Sequence, residues 1–142
     1  MIEQFIYENQ LAALVIRRDF QRDGIEFFTP DDFSQQLAYM QRPKGYQIEP
    51  HLHQQVKREV VYTQEVLWIK SGSVRVDFYD TQRVYQESTI LQTGDVILLA
   101  HGGHGFYMLA DSEIIEVKQG PYAGDGDKVR FAAVAPDQVV LR

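Results

Sequence analysis

The stretch SVRVDFYD, Ser73 to Asp80, alternates residue by residue. Val74, Val76 and Phe78 fall on one side, and Arg75, Asp77 and Tyr79 on the other. A period of two belongs to a half-buried β-strand, and a helix cannot use it. The neighbouring segments carry the same signal. EVLWIK (Glu65 to Lys70) is rich in apolar and aromatic residues and meets the first stretch through SGS (Ser71 to Ser73), which reads as a hairpin turn. DVILLA (Asp95 to Ala100) follows the turn signal TGD, and GFYML and EIIEVKQG continue the series across ADS (Ala110 to Ser112). Short strands joined by Gly-containing turns predict an all-β fold, a sandwich or barrel. Alternating strands also need a closed or doubled sheet to hide their edges.

Helix is scarce. TPDDFSQQLAYM opens like a helix start, with Thr29 as cap, Pro30 at the first position and acids next, enough for one turn. The segment ENQLAALVIRRDF fits a strand better than a helix. The tail, DKVRFAAVAPDQVVLR, reads as an edge strand with an irregular end. No linker divides the chain, so residues 1–142 are expected to form one domain, with a core over roughly 36–120. That length suffices to bury a real core.

The formal net charge is −6 and the pI about 5.1. An acidic balance argues against nucleic acid, whose phosphates want a basic face, and against an anionic membrane surface. Nothing approaches the roughly 18 apolar residues that span a bilayer. The first residues, with Glu3 and no long apolar run, do not read as a signal peptide, and the expected location is the cytoplasm. There is no cysteine, so disulfides, thiolate nucleophiles and zinc–thiolate sites are excluded. Any metal site must use histidine, carboxylate and water.

Two of the four histidines, His51 and His53, lie one residue apart in GYQIEPHLHQQ. On a strand they share a face, roughly 6–7 Å apart at the backbone. Two imidazoles at that spacing can converge on one ion, with nitrogens about 2 Å from it. Pro50 disfavours helix at Glu49 and so supports an extended stretch. Glu65 opens the next strong strand, seven residues before Gly72, and His104 follows the glycine-rich turn HGGHGF. Three imidazoles and one carboxylate suit a divalent metal with open positions. Glu59 is the rival carboxylate and His101 the rival imidazole.

In this order the residues resemble the cupin family. Gly45, His51 and His53 match the opening of its first motif, and Glu65 and Gly72 match the close. Gly94, Gly102 and His104 match the second motif. The chain departs from the pattern in an eleven-residue gap between His53 and Glu65, in Ala100 where proline stands, in a gap one residue short before His104, and in Met108 where asparagine stands. The long gap then becomes an extended hairpin, QQVKREVVYTQ. The resemblance implies a double-stranded β-helix, the jelly-roll barrel of small single-domain cupins. It also implies a divalent metal (iron, manganese, nickel or zinc) held by His51, His53, Glu65 and His104, and a homodimer.

Around such a site, an inward His104 brings Phe106 and Met108 inward by alternation, and Glu116 and Lys118 share a face with Ile114. Lys57 and Arg58 are either a grip on an anionic substrate or a solvated charged loop. Tyr46, Tyr62, Trp68 and Tyr122 are either ligand contacts or core. GPYAGDGDK is a surface turn or a lid. Small single-domain cupins resemble isomerases and epimerases of carbohydrate pathways. The expected function is therefore a metal-dependent enzyme on a small polar molecule such as a sugar or sugar nucleotide. Glu116, His101 and Tyr122 are the candidates for moving a proton. The alternatives are a metal-dependent dioxygenase and a barrel that binds a small ligand without turnover.

Overall fold

The computed structural model describes every residue, 1–142. Ten strands carry the fold: β1 (Ile2–Tyr7), β2 (Gln10–Ile16), β3 (Gly24–Phe27), β4 (Ala38–Gln41), β5 (Glu65–Ser71), β6 (Ser73–Tyr79), β7 (Tyr85–Gln92), β8 (Val96–Leu99), β9 (Gly103–Met108) and β10 (Glu113–Lys118). They form a five-stranded sheet in the order β1-β2-β8-β5-β10, a three-stranded sheet β7-β6-β9, and the small pair β3-β4. Every pairing between strands is antiparallel. The all-β expectation holds, and the strands form two main layers. The two larger sheets do not close into a barrel: β9 and β10 are both free edges.

The core lies between the larger sheets. Val74, Val76 and Phe78 of β6 are buried and face Phe5, Leu67, Ile69, Leu91, Ile97 and Leu99. The Phe5 and Phe78 rings sit 4.5 Å apart. β2 shows no alternation because both its faces are covered. Ala13 and Val15 join the central core, while Leu14 and Ile16 pack with Leu98 beneath Phe20, Phe28, Phe33 and Leu37. Such a continuous apolar run is what a strand buried on both sides needs. Arg17, just past β2, pairs with Glu3 at 2.8 Å and Asp95 at 2.9 Å and donates to Thr89 and the Ile90 carbonyl. It ties β1, β7 and the TGD turn together.

One local expectation changes. Ser71–Gly72–Ser73 is not a hairpin turn, because β5 and β6 belong to different sheets. It is a corner where the chain switches layers. Gly72 adopts φ +93, and a Cβ there would meet the Asp111 carbonyl oxygen and Ser112 Oγ at 2.3 Å. Ala110–Ser112 is a second such corner, from β9 into β10. The segment ENQLAALVIRRDF is strand rather than helix, as expected, over β2, and its first two residues, Glu8 and Asn9, both with positive φ, turn β1 into β2. This is the geometry of a tight two-residue hairpin.

The tail forms no edge strand. It contributes a single parallel bridge, Ser88 with Leu141, and two short 3-10 turns, Gly124–Asp127 and Pro136–Gln138. It lies over the outer face of the three-stranded sheet, with Phe131 edge-on to Tyr79 at 5.0 Å. The outward residues Asp77 and Tyr79 are therefore buried as deeply as the inward ones. Asp77 accepts hydrogen bonds from Arg75 at 2.7 Å and Ser88 Oγ at 2.5 Å. No buried side-chain nitrogen or oxygen lacks a partner. After Thr29 the chain makes one turn, Phe33 N–H to the Pro30 carbonyl at 3.1 Å, and no α-helix follows. No helix is long and apolar enough to cross a membrane.

Between β4 and β5, residues 42–63 form no strand, and all are exposed. The expected hairpin QQVKREVVYTQ is instead part of this extended arm, because no partner strand within the chain pairs with it.

Candidate functional site

The open side of the sandwich lies between the β9 and β10 edges. Register decides what points into it. His104, Phe106 and Met108 stand opposite Phe78, Val76 and Val74 and so share their inward face. Ile114, Glu116 and Lys118 stand opposite Ile69, Leu67 and Glu65. The alternation read from the sequence places both rows correctly. They are only half covered because no strand lies beyond them.

At one end of this mouth the two sheets meet through charge. Glu65, the first residue of β5, is 8% exposed, and its Oε2 lies 3.6 Å from His104 Nε2. Its Oε1 lies 3.6 Å from Lys118 Nζ, which in turn holds Glu116 Oε1 at 2.9 Å. At 3.6 Å the contacts of Glu65 are electrostatic approaches rather than full hydrogen bonds. The imidazole of His104 holds the Glu65 carboxyl below the usual carboxylate range, against the upward push of burial, and Lys118 adds to the lowering. Lys118 is raised, first by Glu116 and then by Glu65.

The other candidates lie elsewhere. His101 turns away, its Nε2 3.2 Å from Glu8 Oε2, so of the two rivals His104 is the one in the mouth. Glu59 is exposed in the arm, whereas Glu65 is buried at a strand start. His51 and His53 are exposed in the arm with rings 5.5 Å apart, and His51 Nδ1 contacts the Glu49 carbonyl at 2.9 Å. Lys57 and Arg58 lie in the same exposed arm. Tyr46, Tyr62, Trp68 and Tyr122 are exposed, Tyr122 at 92%, so none is core. Trp68 points outward because it alternates with the buried Leu67 and Ile69. Tyr62 and Tyr122 line a cleft of about 300 Å³ between the arm's base and residues 118–128, which Lys118 also borders.

The donor set bears on a metal. Glu65 and His104 approach as two ligands of one ion would, since each donor sits about 2 Å from a divalent cation. His51 and His53 are not with them, and no three histidine or acidic side chains gather to hold an ion. An ammonium group also faces the second oxygen of Glu65. As placed within one chain, these residues do not make a metal centre. What they make is an ionised carboxylate that orients an imidazole, beside a cation, at the rim of a half-apolar opening. Such a set can accept and donate a proton at the His104 ring nitrogen that does not face Glu65, and stabilise negative charge at Lys118.

No family model, curated protein or solved structure matches the chain.

Proposed function

We propose that the chain is a cupin-like protein of jelly-roll type that binds a small polar molecule in the mouth between β9 and β10 and moves a proton on it. The observation that supports this is the convergence of Glu65 and His104 from opposite sheets. Sugars and sugar nucleotides are the favoured class. Hydroxyl and carbonyl oxygens suit His104 and Lys118, and the apolar flank of Phe106 and Met108 suits a ring face. His104 acts as the acid or base, Glu65 fixes its orientation, and Lys118 balances charge that develops on the ligand's oxygen. A divalent ion belongs to this proposal only with His51 and His53 brought to Glu65 and His104.

The test is a binding screen followed by an exchange experiment. Sugars, sugar nucleotides and small carboxylates are titrated while the protein's NMR signals are followed. A saturable response in β9 and β10 that His104→Ala and Glu65→Gln weaken at least tenfold is expected. No saturable binding, or binding indifferent to both substitutions, overturns the proposal. Deuterium entering the ligand from D2O at a carbon beside a carbonyl then marks catalysis. Its absence with tight binding identifies a module that binds without turnover. Metal analysis of the parent and the His51→Ala/His53→Ala variant bears on the ion: equal loading removes the arm histidines as ligands.

A further inference from the structure

The arm at 42–63 and the free edges of β9 and β10 are complementary. We propose that this arm docks as an added strand on those edges of a second copy of the chain, and that the exchange is reciprocal.

The arm has the composition of a strand and no sheet to join. Tyr46, Ile48, Leu52, Val56, Val60 and Tyr62 all occupy even positions, and the odd positions are mostly polar. This is the alternation of a half-buried strand, yet Leu52 is 81% exposed and Val56 61%. Up to Tyr62 the arm's hydrogen bonds are internal, from the Tyr46 N–H to the Pro43 carbonyl and between His51 and Glu49. Its base alone is anchored: Thr63 Oγ1 donates to Asp127, and the Gln64 carbonyl accepts from the Gln119 N–H.

The body offers the matching half. β9 and β10 each pair on one side only. Unpaired edges seek a strand. Between them the inward row of Phe106 and Met108 is uncovered, at 37% and 46% exposed. Charge agrees. The arm holds four basic residues against two acidic, while the whole chain carries −6, so the rest of the molecule carries −8.

A second copy fits better than the arm's own body. To lie on its own edges the arm would have to reverse near Gln64, which is fixed beside Gln119. From His51 to Thr63 there is no Gly, Pro, Asn, Asp or Ser, the residues that turns require. The segment therefore has no turn with which to fold back on its own edges. Two identical arms on two identical edges close a two-fold dimer that needs no third copy. The exchange is independent of what the mouth binds, although it roofs that mouth with a strand from the partner copy.

Light scattering on the full chain, from about 10 to 500 μM, is expected to give twice the chain mass of 16.4 kDa. The triple substitution Leu52→Glu/Val56→Glu/Val60→Glu should return it to that mass with unchanged β-sheet circular dichroism. The chain has no cysteine, so a single introduced one carries a spin label cleanly. Unfolded copies labelled at Leu52→Cys or, separately, Gln55→Cys are refolded with unlabelled, nitrogen-15 copies. The amide signals of 103–108 and 113–118 in the isotopic copies should broaden. A monomer throughout the range overturns the proposal. A dimer whose broadening lies elsewhere overturns it too, as does a dimer whose isotopic copies show no broadening at either edge.

Discussion

Glu65 and His104 belong to different sheets and lie 3.6 Å apart; Glu65 heads the buried row of Leu67 and Ile69, and His104 stands opposite buried Phe78. The carboxyl of Glu65 titrates below its ordinary value of 4.5, first because of His104 and then Lys118, against burial. A carboxyl lowered on folding stabilises fully above its unfolded value and loses that contribution as pH falls through the folded one. Glu65→Gln should therefore lower unfolding free energy at neutral pH, and the gap from the parent should shrink below about pH 4. Urea titrations of both proteins across that range measure it. A gap that widens in acid would show that the ion pair does not stabilise the fold.

Gly72 switches the chain between sheets at φ +93 with the Asp111 carbonyl pressed against the place of its missing Cβ. A left-handed non-glycine residue costs about 1–3 kcal/mol from backbone strain alone. Gly72→Ala should exceed that, because backbone on the β9–β10 corner must also move. Gly126→Ala is the control, with open space around it and no positive φ. Equal midpoints in thermal unfolding would contradict the corner's role.

Phe78 fills the centre of the sandwich, 2% exposed against Phe5 and Tyr7. Truncating such a ring removes transfer energy and leaves a cavity, for about 3–5 kcal/mol. Phe78→Ala should cost that much in urea, whereas Phe27→Ala, on an exposed strand position, should cost less than about 1 kcal/mol. Similar losses would mean the core is not centred on β6.

The alternation of β6, β9 and β10 was legible: it put Phe106 and Met108 on the face of His104, and Glu116 and Lys118 on the face of Ile114. What it could not show was which strands share a sheet. Ser71–Gly72–Ser73 has the composition of a hairpin turn, and only the packing of Gly72 against Asp111 and Ser112 makes it a corner. The burial of Asp77 and Tyr79 was hidden for a related reason, since a polar row reads as solvent-facing until a tail of distant sequence covers it. The choice between Glu59 and Glu65, and between His101 and His104, rested on spacing. Glu65 is fixed at the mouth by the register of β5 with β10, while His101 is drawn off by Glu8 from the β1–β2 turn. His51 and His53 show the limit most clearly: their shared face is a local property, and nothing local says what that face meets.

The tail is fastened at one point by a short relay. Tyr85 Oη accepts from the Val140 N–H at 2.9 Å and bonds Ser88 Oγ at 2.7 Å, and that hydroxyl donates to buried Asp77. Tyr85→Phe keeps the ring against Tyr79, 5.7 Å away, and removes the oxygen alone. A single neutral hydrogen bond is worth about 0.5–1.5 kcal/mol, and more is lost where a group is left buried without a partner. The Val140 N–H is exposed enough to find water, so global stability should fall by about 1 kcal/mol at most. Exchange at Val140 and Arg142 should accelerate several-fold, because the Ser88 bridge loses its neighbour, while amides of β6 stay protected. Hydrogen exchange read by NMR separates the two regions. Unchanged protection at Val140 would show that the tail is held by its other contacts, such as Phe131 on Tyr79, and not by the relay, while loss spreading through β6 would show that the relay supports the sheet itself.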